Sequence, residues 1–221
     1  MPRSRLLART TRRVIEARIL GLLNDNADEF RGLALNSPRA VGDVAQALVA
    51  ANFLRLASDR GIRNYDQAFA RRAMADLAFE DSAGSYYVVD VKTHRLDSSF
   101  DMPNLISVER LARFYEEPTN YFVLLKIGYA VESARIRFAD VAFVPIEFVS
   151  WECLTLGALG WGQIQIANAN RVILDDRCTR KRWMLNLCDR LDLFYPAEMT
   201  KIRARLDYFA KVRVFWERQP D

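Results

Sequence analysis

Near residue 75 the hydrophobic period of this chain changes, and that change limits the possible folds more than any other feature. Before it, apolar residues recur at helical spacing; after it come short runs rich in Val, Tyr and Phe separated by turn residues, the mark of strands. Leu77 and Phe79 alternate with Asp76, Ala78 and Glu80, Asp81-Ser82-Ala83-Gly84-Ser85 forms a turn, and Tyr86 to Thr93 returns as a second strand. Leu105, Val108, Leu111 and Phe114 then carry helical spacing up to Pro118, and 121–130 and 136–149 read as further strands. A hairpin, a helix and more strands make an α/β or α+β core.

Helices flank this core on both sides. Leu6, Leu7, Val14, Ile15, Ile19 and Leu22 predict an amphipathic helix over about 4–24 with an arginine-rich outer face. Ser37-Pro38 announces a second, with serine as N-cap and proline at the first helical position, ending near Ser58. The last forty residues, to Trp216, read as two helices broken at Pro196. With 221 residues, a single domain over 1–221 is expected. Its parts are N-terminal helices over 1–60 for dimerisation or DNA contact, a sheet core over 73–170 and C-terminal helices over 178–217.

Composition narrows the function. Apolar residues make up 51% and charged residues 27%, which is ordinary globular usage. No apolar run approaches the ~18 residues that span a bilayer, and the arginine-rich start lacks the apolar stretch of a secretory signal. A cytoplasmic protein without membrane contact is the expectation. Cys153, Cys178 and Cys188 fit neither a disulfide framework nor a zinc ribbon, and the one histidine, His94, makes structural zinc unfavourable. The net charge is +4, but the basic residues are clustered. Arg3, Arg5, Arg9, Arg12, Arg13 and Arg18 form one group, Arg177, Arg180, Lys181 and Arg182 a second, and Lys201, Arg203, Arg205, Lys211 and Arg213 a third. Such patches suit a phosphate backbone, although each alone also fits a solvated helix face.

The chemistry converges on the hairpin. Side chains two apart on a strand point the same way, so Asp90 and Lys92 share one face while Val89 and Val91 turn into the core. A three-residue loop Ser82-Ala83-Gly84 sets Asp81 against Ser85 and Asp76 against Asp90. Opposed carboxylates repel, and a bound cation removes the conflict. All-oxygen ligands suit Mg²⁺, which takes one or two carboxylates from protein. On a phosphodiester the metal would polarise the phosphoryl oxygen and activate water, with Lys92 holding that water or stabilising charge in the transition state.

Ala75-Asp76, a turn, then Val88-Val89-Asp90-Val91-Lys92 resembles the PD-(D/E)XK nuclease signature, with Ala75 where proline is usual. The run Val89-Asp90-Val91-Lys92-Thr93-His94 is most similar to the corresponding strand of type II restriction enzymes. The resemblance covers about residues 73–95. It implies a restriction-endonuclease-like mixed β-sheet core flanked by helices, with Asp76 and Asp90 as metal ligands and Lys92 as the catalytic lysine. It also implies a homodimer that cuts both strands of duplex DNA at a short palindrome without a nucleotide cofactor.

Other residues are candidates for DNA contact. Gln163 and Gln165 share one face of a short strand, with Asn168 and Asn170 beyond it, and amides can bond adenine edges; an edge strand whose amides satisfy loop backbone accounts for the same pattern. Thr93, His94 and Arg95 follow the chemical strand and are placed to touch phosphate or bases. His94 is more naturally structural than a general base. Glu80 faces solvent or a second metal, and Asp43, on the preceding helix, is a further possible ligand. Trp151, Trp161, Trp183 and Trp216 read as core. The rival functions are a repair or junction-resolving nuclease of the same superfamily and a non-catalytic DNA-binding protein.

Overall fold

The computed structural model describes residues 4–33, 37–65, 76–132, 135–157 and 161–220. Arg3 and Ala75, both singled out from the sequence, lie outside the described residues. The chain divides into two compact units, Met1–Asp176 and Arg177–Asp221.

The first unit is a mixed α/β structure. Two helices, α1 (Arg9–Asp25) and α2 (Pro38–Ala57), precede strands β1 (Ile62–Arg63), β2 (Leu77–Asp81), β3 (Tyr86–Arg95) and β4 (Asn104–Ser107). The short helix α3 (Val108–Phe114) leads into β5 (Asn120–Glu132), β6 (Arg135–Pro145), β7 (Leu154–Gly157) and β8 (Gln163–Ile166). One sheet has five strands in the order β1-β2-β3-β5-β6 and the other three in the order β4-β8-β7. Among the described strands of the large sheet only β3 and β5 are parallel. Parallel neighbours need a crossover, and here it carries β4 and α3.

α2 begins as its sequence dictates, with the Ser37 side chain accepting from the Ala40 N–H and Pro38 at the first position. Val41, Ala45, Val49, Phe53 and Leu56 are buried along one stripe, and Phe53 sits among Phe79, Phe143 and Tyr65. By length and composition this is the one helix among the described residues apolar enough to cross a membrane, so the expectation that no apolar run comes near that length is corrected. Its apolar stripe is spent on the core against β2, β3 and β6.

α1 starts at Arg9 rather than near residue 4; Leu6 and Leu7 are buried in the turns before it. Its arginines are not all on an outer face. Arg12 is buried, donating from Nε to the Leu7 carbonyl at 3.0 Å with its guanidinium 5.2 Å from the Phe148 ring centre. Arg18 donates to the Leu56 carbonyl at 2.7 Å and to Asp59 at 2.6 Å. Long side chains here tie the helix to the body through packing as well as charge.

Two further expectations change. Leu105 belongs to β4, not to the helix after it, because Asn104 and Ser107 pair with Gln165 and Gln163. The strand read over 136–149 ends at Pro145 in a 3-10 turn, Ile146–Phe148. The tryptophans split: Trp151 and Trp183 are buried, whereas Trp161 is 74% and Trp216 64% exposed.

The second unit contains α4 (Arg180–Trp216), one helix of 37 residues. Thr179 caps it by accepting from the Arg182 N–H. Pro196 lies inside it, so the expected break does not occur. Proline removes a single N–H, here one directed at the carbonyl of Asp192. Both residues are exposed, and the Thr200 hydroxyl donates to the Pro196 carbonyl at 3.0 Å.

Candidate functional site

The β2–β3 hairpin has the register its turn residues specify. Leu77 faces Val89 and Phe79 faces Tyr87, and Gly84 takes the left-handed position at φ 81° that closes the loop. Asp81 reinforces the turn. Its Oδ1 accepts from the N–H groups of Ala83 at 2.9 Å and Ser85 at 3.0 Å, and its Oδ2 from the Tyr87 hydroxyl at 2.6 Å. Tyr87 also bonds the Ser4 hydroxyl, which anchors the start of the chain to this hairpin. One residue before Leu77, Asp76 donates its N–H to the Val89 carbonyl at 3.0 Å, which places it beside Asp90.

Asp76, Asp90 and Lys92 therefore converge. Asp76 Oδ2 accepts from the Val91 N–H at 2.6 Å, and Lys92 Nζ donates to Asp90 Oδ1 at 2.7 Å. Asp90 is only 8% exposed, and its Oδ2 is buried without a hydrogen-bond partner among the described residues. Burial pushes the Asp90 carboxyl up to about 7 against the pull of Lys92, with the nearby Asp76 charge adding to the rise. Asp76 is raised as well, chiefly by burial, and is held back by the Val91 N–H and Lys92. Two carboxylates that resist ionising together are what a site looks like when it is built around more positive charge than one ammonium supplies.

The donor set fits a hard divalent cation. A buried carboxylate oxygen lacks a donor beside a second carboxylate, and Mg²⁺ takes one or two carboxylates while keeping water in its other positions. Among the described residues no group of three or more His, Cys, Asp or Glu side chains could hold a metal, so a closed all-protein cage is not on offer there.

Sequence reasoning missed Gln46. Its Nε2 donates to Asp76 Oδ1 at 2.6 Å from helix α2, so both oxygens of Asp76 are oriented by protein donors. Asp43, the residue flagged on that helix, is exposed and bonds to nothing in the site. The available signal was a polar residue one turn further on, between Ala45 and Ala47 on a half-buried position. Glu80 accepts from Asn64 at 2.8 Å and stays apart from the acidic pair.

A second charged cluster was also missed. Lys126 is buried on β5 and lies opposite Lys92 in the parallel register, which puts it on the same sheet face. It donates to Asp140 at 2.5 Å and stands 3.4 Å from His94 Nε2. Gly128 makes the approach possible, since a Cβ there would lie 3.0 Å from the His94 ring and 3.1 Å from Asp140. His94 is 3% exposed, and burial with the neighbouring Lys126 lowers it to about 4. It is a neutral interior ring at ordinary pH. Thr93, His94 and Arg95 line a cleft of about 650 Å³ with Arg39, Phe100 and Tyr129; Arg95 is paired there with Asp97 at 2.6 Å.

The amide segment is partly committed to structure. Gln163 and Gln165 do share one face of β8, with Ile164 and Ile166 buried on the other. Gln165 donates to Asn104 at 2.6 Å. Asn168 caps a 3-10 turn by accepting from the Asn170 N–H, and Asn170 donates to the Ser98 carbonyl at 2.7 Å. Those two asparagines shape the loop.

Compared with known proteins, the sequence matches no family model and no curated protein.

Proposed function

We propose that this chain is a magnesium-dependent endonuclease of the PD-(D/E)XK type, acting in the cytoplasm as a type II restriction enzyme on duplex DNA. The observation that carries the reading is the meeting of Asp76, Asp90 and Lys92 on one hairpin around a buried carboxylate oxygen that lacks a donor among the described residues. The mixed sheet, with β3 antiparallel to β2 and parallel to β5, supports a restriction-endonuclease-like core.

Asp76 and Asp90 are the side chains that would hold the cation, which when bound supplies Lewis-acid polarisation of the phosphoryl group and an activated water. Gln46 and the Val91 N–H fix the Asp76 carboxylate, so its orientation is set before a ligand arrives. Lys92 carries its positive charge to the same place and stabilises charge that builds on the phosphate. The Arg95 and Arg39 side chains, which line the cleft by the last residues of β3, provide for further backbone phosphates.

Incubating the protein with plasmid DNA and Mg²⁺, then sequencing the fragment ends, tests this directly. Discrete fragments with one common end sequence are expected. Cutting only at branched or damaged DNA would favour a repair or junction nuclease. Duplex binding with no magnesium-dependent loss of substrate would leave a non-catalytic binding protein.

A further inference from the structure

Helix α4 carries a seam that its own chain leaves open. Leu185, Cys188, Tyr195 and Met199 in its first half, and Ile202, Leu206, Phe209 and Trp216 in its second, recur at alternating steps of three and four with Asp192 and Arg213 filling the two remaining places. All ten positions are exposed. The buried residues Trp183 and Leu187 lie off this seam. A strict seven-residue repeat kept over nearly five heptads makes a left-handed supercoil seam, and an exposed apolar strip of that length calls for a partner helix.

The pattern itself selects the partner. Turned end for end about the Thr200–Lys201 junction, the seam maps onto itself: Leu185 meets Trp216, Tyr195 meets Leu206, and Met199 meets Ile202. Every layer then sets one kind of heptad position against the other, as antiparallel helix pairs require. Charge makes the same choice. In a parallel pair Asp192 would face Asp192 and Arg213 would face Arg213, two repulsive layers. In the antiparallel pair Asp192 lies one turn, roughly 6 Å along the axis, from the partner copy's Arg213, within reach of its long side chain. The off-seam Glu198 and Arg205 approach one another across the same interface.

We propose that α4 pairs with α4 of a second copy of this chain, antiparallel, along the seam from Leu185 to Trp216. The pairing rests on the helix alone and not on the nuclease reading, so either can fail without the other.

Two measurements on the full-length protein test it. Cys188 is an exposed reporter on the seam. Antiparallel copies hold their Cys188 residues roughly 37 Å apart, so mild oxidation of the natural chain gives no Cys188–Cys188 bond. The variant Arg213→Cys brings a second thiol opposite Cys188 and yields a covalent dimer whose peptide map joins Cys188 of one copy to the introduced thiol of the other. In sedimentation equilibrium, Asp192→Arg and Arg213→Asp each weaken the dimer about tenfold, and the double variant recovers natural affinity. All these positions are exposed, and circular dichroism verifies that helix content is unchanged. A monomer at tens of micromolar, a Cys188–Cys188 link in the natural chain, or a double variant no tighter than the single ones would each overturn the proposal.

Discussion

On one face of the central sheet, Asp90 and Lys92 stand a few residues from His94 and Lys126, and the two groups are neutralised in different ways. At the first, two carboxylates share one ammonium and an oxygen of Asp90 is buried with no donor among the described residues. At the second, Lys126 has its own carboxylate in Asp140, and His94 escapes the conflict by staying neutral. Unbalanced buried charge costs stability and is kept for chemistry; balanced buried charge is part of the frame. Changes at the first group should therefore damage function and spare the fold, and changes at the second should do the reverse.

The largest expected effect is on cleavage. Asp90→Ala and Lys92→Ala should each lower magnesium-dependent DNA cutting by roughly a thousandfold or more, as loss of a group stabilising transition-state charge does. Thermal melts of Asp90→Ala should be no lower than those of the natural protein, because a buried charge has gone. Lys92→Ala takes away the ion-pair partner of Asp90 and should melt modestly lower, its cost limited because the Asp90 carboxyl can take up a proton instead. A large drop in melting temperature with cutting retained would break the distinction.

Next comes acid. The folded His94 sits at about 4 against an ordinary 6.5, so on lowering the pH the unfolded chain takes up the proton first. The stability this provides is complete above 6.5, declines through the interval and is gone below 4, a loss of roughly 3 kcal/mol. Denaturant titrations at pH 7 and pH 4.5 should show the loss in the natural protein and a smaller one in His94→Phe. Asp140→Ala follows, at about 2 kcal/mol, since Lys126 loses its partner while Asp140 itself is half-exposed and partly solvated; cleavage should stay within a few-fold. The smallest effect belongs to Gln46→Ala. Removing one hydrogen bond to Asp76 should reduce the rate about fivefold, near 1 kcal/mol, with no change in DNA affinity measured in calcium.

The contrast between the groups also tracks what the sequence could disclose. The Asp76–Asp90 meeting was legible because it is local: Asp81 and Gly84 fix the loop, and the loop fixes the register. The start of α2 was legible for the same reason, through Ser37 and Pro38. Lys126 was not, although a lone charge in Tyr-Phe-Val-Leu-Leu-Lys-Ile was a visible signal, because its partner reaches it only through the β5–β6 pairing. Arg12 looked like part of a solvated stripe, and its burial against the distant Phe148, with a bond to the Leu7 carbonyl, shows otherwise. Leu105 carried helical spacing, and pairing of its neighbours with β8 overrode it. Gln46 needed the packing of α2 beside Asp76, and Pro196 needed the knowledge that the helix runs on through it at an exposed position.

The order in which the sheet can form also follows from its connections. The hairpin closes through a short loop and costs little chain entropy, whereas Asp90 meets Leu124 on β5 only across a crossover that carries β4 and α3. Hairpins form in about 1–10 μs, far ahead of long-range parallel pairing. The two acidic groups are thus expected to meet in an early, local event while much of the molecule is still unformed, and on the proposed nuclease reading a divalent ion present during refolding would find them before the surrounding sheet is complete.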